Sequence, residues 1–118
     1  AQGRQKAERK KRERIWREYE TAMASEDYIQ ARAALDQLAD SGKQQPEALR
    51  ERDRLEALIN EKSIALIAEG KKYYTRGKLD NAIETWRKAL LFNPDNPDLV
   101  ARIKRAETFQ ANYQRLAR

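Results

Sequence analysis

Apolar residues recur along this chain at spacings of three and four, and no window alternates at period two, so the pattern predicts helices and no sheet. Ile15, Trp16, Tyr19, Ala22 and Met23 mark one face of a first helix, roughly 8–24. Residues 1–11 carry no apolar periodicity and read as a disordered arm or the frayed start of that helix. Ser25-Glu26-Asp27 interrupts the pattern, and Ser25 or Asp27 can cap the next helix. This second helix, about 27–40, is striped by Tyr28, Ala31, Ala34, Leu35 and Leu38. Ser41-Gly42 ends it, with Gly42 suited to the left-handed position after the last turn. Pro46 opens a third helix.

From Pro46 onward no firm stop occurs before Arg76. Leu49, Leu55, Leu58, Ile59, Leu66, Ile67, Gly70 and Tyr73 trace a drifting apolar face, and Glu47–Arg50, Glu51–Arg54 and Arg52–Glu56 fall at helical pairing distance. The spacing predicts one helix over 46–76, about 46 Å long. The alternative is a break near the polar stretch 60–63. Arg76-Gly77-Lys78 is a turn in which Gly77 takes positive φ. Leu79 acts as a hydrophobic staple and Asp80 caps or opens the following helix, which runs to Phe92. Asn93-Pro94-Asp95-Asn96 stops it, and Asn96 caps a last helix, 97–117, with Pro97 in its first turn. Leu99, Ile103, Ala106, Phe109, Tyr113 and Leu116 make its apolar face.

Charge changes the picture at one end only. Residues 1–17 hold eight basic residues and two acidic ones, so the whole net charge of +6 sits there and the remaining 17 basic and 17 acidic residues balance. Arg4, Lys6, Arg9, Lys10, Lys11, Arg12 and Arg14 form a basic patch able to attract nucleic acid or an anionic membrane surface. It lacks interleaved aromatics, so a solvated helix end or linker is the plainer reading. The chain opens AQGRQK and reads as a processed or excised piece of something longer.

Chemistry is sparse. There is no His and no Cys, which removes the commonest general base, the commonest metal ligand and any disulfide. No nucleophile–base pair, paired catalytic carboxylates or glycine-rich phosphate loop is present. Asp95, Asn96 and Asp98 form a turn and helix cap, since the glycine and distal glutamate of a calcium loop are missing. No catalytic residue, metal site or cofactor is expected.

The most strongly specified stretch is Ser63 to Asn96, 34 residues long. Gly70, Ala82 and Ala89 are small where two antiparallel helices would cross, and Tyr73, Trp86 and Leu90 are large beside that crossing. Pro94 ends the unit. Trp86, Tyr73 and Leu90 are therefore core; Trp16 is either core against the second helix or an exposed anchor. Leu66, Gly70, Tyr73, Ala82, Trp86, Ala89 and Pro94 together resemble a tetratricopeptide repeat, in spacing and in length. Glu69 departs from that pattern, which points its side of the helix at solvent or a polar neighbour. The first helix pair resembles a degraded repeat: Asp27–Ala31 aligns with Lys78–Ala82 and Leu35 with Trp86, but Tyr19 stands where Gly70 does. The 51-residue offset is one repeat plus an insert of 17.

The resemblance implies an all-α fold: antiparallel helix pairs in a right-handed stack, with a long central helix and a C-terminal capping helix. The expected divisions are a basic arm at 1–11 and a single domain at 12–118. That domain comprises a degenerate repeat (12–45), an inserted helix (46–62), the repeat (63–96) and the cap (97–117), a helix that also fits the first half of a further repeat. The resemblance also implies binding rather than catalysis, to a peptide or helix lying on the inner helices. Ile64, Ile67, Lys71 and Tyr74, extended by Ala101 and Arg105, are the candidate contacts. Ala68 stands where the family's carboxylate clamp has asparagine, so that clamp is not expected. Alternatives are nucleic-acid or membrane-surface binding through residues 4–17, and homodimerisation through the long helix and arm. A looser likeness to short repeat-bearing lipoproteins and secretion accessories implies a bacterial envelope setting.

Overall fold

The computed structural model describes residues 2–40 and 46–117, the side chain of residue 2 aside. The expected C′ glycine, Gly42, lies outside the described residues. Five helices occur in order: α1 Gln2–Ala24, α2 Tyr28–Ala39, α3 Pro46–Thr75, α4 Leu79–Phe92 and α5 Pro97–Leu116. No strand occurs among the described residues. The all-α expectation holds. So does the long central helix: α3 runs unbroken through Asn60–Ser63, a stretch that is polar but contains no Gly or Pro, so nothing forces a break. The chain divides into two compact units, Ala1–Leu58 and Ile59–Arg118, and α3 contributes its first half to one and its second half to the other.

In the first unit α1 and α2 form an antiparallel hairpin. α1 starts at Gln2, several residues before the expected helix near 8. Apart from Gly3, its first turns are built from Gln, Arg, Lys, Ala and Glu, all good helix formers, so the backbone stays helical without an apolar face. Ile15, Tyr19 and Ala22 of α1 are buried, as are Ala31, Ala34, Leu35 and Leu38 of α2. Trp16 is half-buried and meets Tyr19 edge-on, with ring centroids 5.7 Å apart. The early part of α3 is tied to both helices. The Tyr19 hydroxyl donates to Glu51 Oε2 at 3.0 Å, and Arg32 of α2 forks onto Glu56 at 2.7 and 3.3 Å. Leu49, expected on the buried face of α3, is exposed, and Ala48 is buried in its place. The small Ala side chain permits close approach there, and one residue of helical rotation turns Leu49 outward.

In the second unit Ala82, Ile83, Trp86 and Ala89 of α4 and Leu99, Ile103 and Ala106 of α5 form one buried cluster. Leu66, Ile67, Tyr73 and Tyr74 of α3 pack against it half-buried, together with Leu90. Asn96 caps α5 by accepting from the Leu99 N–H at 3.1 Å, with Pro97 in the first turn, as expected. At α4 the N-cap is Lys78, which makes no side-chain cap bond. Asp80 sits in the first turn and accepts from the Gln110 side-chain amide of α5. The apolar face of α5 does not stay buried to its end. Phe109, Tyr113 and Leu116, expected on the packed face, are exposed. The first turn of α4 meets α5 at Gln110, so Tyr113 and Leu116 lie on turns that outrun it, while Phe109, level with that turn, sits to the side of the buried Leu99–Ile103–Ala106 face.

Both hairpins close with the same kind of turn. After α3, Lys78 N–H donates to Tyr73 O (2.9 Å) and Gly77 N–H to Tyr74 O (3.1 Å), with Gly77 at φ +76°. This is the Schellman closure of a helix C-terminus. After α1, Asp27 N–H donates to Ala22 O (2.8 Å) and Glu26 N–H to Met23 O (3.1 Å), with Glu26 at φ +58°. Every position is offset by 51 residues. Burial keeps the same offset: Ala31, Ala34, Leu35 and Leu38 answer to Ala82, Thr85, Trp86 and Ala89. Asp27, not Ser25, is the cap of α2, accepting from Gln30 N–H at 3.1 Å, while Ser25 Oγ donates back to Thr21 O.

Candidate interaction surface

The second unit is organised by Trp86, which is 2% exposed. Its indole lies across Gly70: a Cβ built at that glycine would stand 2.3 Å from Nε1 and 2.5 Å from Cδ1. The absence of a side chain at 70 is what lets Nε1 donate to the Ile67 carbonyl at 3.1 Å. Tyr74 also packs against the indole, with ring centroids 5.8 Å apart and planes tilted by 36°. The expectation of small residues at the crossing and large ones beside it therefore holds at Gly70, Ala82, Trp86 and Ala89. Tyr73 and Leu90, expected as core, are only half-buried. Glu69 is exposed, as its departure from the repeat pattern implies, and its polar neighbour is the Tyr73 hydroxyl, which donates to Glu69 Oε1 at 3.5 Å.

Ile64, Ile67, Lys71 and Tyr74 recur at spacings of three and four, so they share one stripe of α3 beside the face occupied by Gly70. Ile67 and Tyr74 are half-buried and held by Trp86, one through its carbonyl and one through its ring. Lys71 between them is exposed, and Ile64 is 60% exposed although it is an isoleucine. On α5, Ala101 and Arg105 lie one turn apart and are both exposed. Neither Lys71 nor Arg105 forms an ion pair among the described residues. No hydrogen bond among the described residues joins the α3 set to the α5 set.

The basic residues of the patch all fall on α1, between Arg4 and Arg17. Lys6, Lys10 and Arg14, with Arg17, recur at spacings of four and three and so form a ridge opposite Ile15, Tyr19 and Ala22. Arg4 and Arg9 are exposed, and Arg4 pairs loosely with Glu8 at 3.9 Å, as Arg14 does with Glu18. Such solvated pairs contribute little to stability. Lys11 and Arg12 line an open cleft of about 440 Å³ with Glu8, Ile15, Gln37, Leu38 and Asp40, where charges of both signs meet. Among the described residues there is no His, Cys, Asp or Glu group able to hold a metal ion, and no helix is long and apolar enough to cross a membrane.

The Tyr19 hydroxyl is a group whose acidity clearly moves. Burial, then the hydrogen bond it donates to Glu51 and the charge of that carboxylate, push it up to about 12. Glu51 Oε1 in turn takes a hydrogen bond from Arg54 at 3.0 Å, so the carboxylate is held between two donors. This cluster joins α1 to the first half of α3 and contains none of the residues of the inner stripe.

No curated protein and no solved structure matches the chain. A family model described as a TPR repeat matches residues 70–101. That span begins at the glycine beneath the indole and carries the Gly77 turn, all of α4 and the start of α5. The small–large crossing, the turn and the match coincide on one stretch: the chain carries a tetratricopeptide repeat.

Proposed function

We propose that this chain is a non-catalytic interaction module that binds a peptide or helix of a partner protein along Ile64, Ile67, Lys71 and Tyr74, extended by Ala101 and Arg105. Tetratricopeptide repeats generally mediate protein–protein interaction. The observation that carries the reading is the inner stripe of α3. Ile64 is 60% exposed on the same stripe as Ile67 and Tyr74, whose positions Trp86 holds. Lys71, on that stripe, has no ion pair among the described residues. An exposed apolar side chain beside two immobilised neighbours and an available cation is a preorganised contact, with little ordering cost left to meet on binding. Ala68 leaves no asparagine for a carboxylate clamp, so the ligand is held by side-chain contacts and charge rather than by a terminal carboxylate.

Selection of a random peptide library on the immobilised chain tests this. Binders should fall into families sharing an apolar residue with a nearby acid. Ile64→Asp or Lys71→Glu should weaken them at least about tenfold while helix content stays unchanged. Binders indifferent to both substitutions would sink the reading.

A further inference from the structure

The end of α5 carries a second surface. Phe109, Tyr113 and Leu116, spaced four and three apart, are 56%, 68% and 82% exposed. Helical spacing puts all three on one stripe. The first turn of α4 reaches α5 at Gln110, where Asp80 accepts its side-chain amide, so α4 gives no cover beyond that point. From the size of the three side chains and their exposure, the stripe offers about 400 Å² of bare surface, within the range of the largest and often functional patches on monomeric proteins.

The charges on the same stripe say what fits it. Arg105 and Arg102 lie one and two turns before Phe109. Arg102 already holds Asp98 at 3.2 Å, and Arg105 is exposed without an ion pair among the described residues. No acidic group is left over on this stripe. A second copy is a poor occupant. Two such patches would bury about 800 Å² together, below the roughly 1,200 Å² of a stable specific interface, and would face arginine-bearing stripes of like sign. A foreign helix can instead run the whole length from Arg105 to Leu116, about 17 Å. It would place apolar residues at i, i+4 and i+7 on the stripe and an acid one turn along on Arg105.

We infer that the distal face of α5 docks an acidic amphipathic helix of a partner protein. The inference rests on the reading of the chain as a helix- or peptide-binding module and names the chemistry of one ligand. The probe is a fluorescein-labelled 18-residue synthetic helix with leucines at heptad positions and glutamates on the rim, compared by anisotropy with the same helix bearing lysines. The acidic probe should bind at least about tenfold tighter than the lysine version. Phe109→Ser with Leu116→Ser should weaken it at least about tenfold with unchanged circular dichroism, and Arg105→Glu should reverse the charge preference. Ile64→Asp should leave binding unchanged. Equal binding of both probes, indifference to the Phe109/Leu116 double variant, or no binding at about 1 mM would each overturn the inference. A dimer in sedimentation that Phe109→Ser dissolves would overturn it in favour of a second copy. Loss of the probe in Ile64→Asp but not in the double variant would overturn it while leaving the inner-stripe reading standing.

Discussion

Replacing Gly70 with alanine adds one methyl group to the second unit, and the structure gives no room for it. The new Cβ would lie 2.3, 2.5 and 2.8 Å from Nε1, Cδ1 and Cε2 of Trp86. Relief requires the indole to slide by more than an ångström. It is 2% exposed and shares its cluster with Ala82, Ala89 and Leu99, none more than 1% exposed, so the slide is resisted by close-packed neighbours. Overpacking of this kind costs about 1–3 kcal/mol. The displaced indole also loses its 3.1 Å bond to Ile67 O, worth about 1 kcal/mol. Alanine returns about 1 kcal/mol as the better helix former. The net expectation is a loss of about 1–3 kcal/mol, or a fall of about 5–15 °C in the midpoint of a unit this size. The two tryptophans, Trp16 and Trp86, lie in different units, so in a Trp16→Phe background the fluorescence reports the second unit alone. Trp86→Leu, the residue found at the equivalent position 35, should remove the clash, and the Gly70→Ala/Trp86→Leu cycle should show a coupling of about 1–2 kcal/mol. An unchanged or raised midpoint for Gly70→Ala, or additive single effects, would refute the placement of the indole over residue 70.

The first unit supplies two further expectations. Glu26 occupies the left-handed position that Gly77 holds in the second hairpin, so Glu26→Gly should relieve backbone strain and raise stability by about 0.5–1 kcal/mol; a lower thermal midpoint by circular dichroism would show that the turn tolerates glutamate without cost. The Tyr19 phenol ionises at about 12 against 10.0 when unburied. Its folded value is raised, so the stability it contributes is complete below pH 10 and is lost as pH climbs from 10 through 12. The difference in ultraviolet absorbance of the phenolate between wild type and Tyr19→Phe should therefore titrate near 12, and a midpoint near 10 would contradict the buried bond to Glu51.

Much of this molecule was legible in its residues because the local rules agree with one another. The long helix 46–75 is visible as an apolar face uninterrupted by any firm stop, and Gly77 and the Asn96–Pro97 cap mark their turns by chemistry that few other residues supply. The crossing of α3 and α4 could be read from Gly70, Ala82 and Trp86, since close approach needs a missing side chain and the space beside it needs a large one. The signal failed where packing, not periodicity, decides. Periodicity gives α5 an apolar stripe from Leu99 to Leu116 without saying where the neighbouring helix ends. The shorter length of α4, itself readable between Lys78 and Asn93, would have exposed the overhang. The start of α1 stayed open between a disordered arm and a frayed helix for the opposite reason: a helix with no apolar face gives no periodic signal, although its composition, Gly3 apart, favours helix.

What the sequence determined by itself is the set of helices, their turns and the identity of the repeat, because each depends on interactions within a few residues or on spacing along one chain. What only the tertiary structure decided is which apolar residues are spent. Ile67 and Tyr74 are committed to Trp86, Ala48 is buried in place of Leu49, and Ile64, Phe109, Tyr113 and Leu116 are left facing outward. Tyr19 found its role there too: the residue that breaks the repeat pattern where Gly70 would be small reaches Glu51 on α3 instead. Burial depends on where a neighbour begins and ends, and on one residue of helical rotation, and neither is a property of the stretch that bears the side chain.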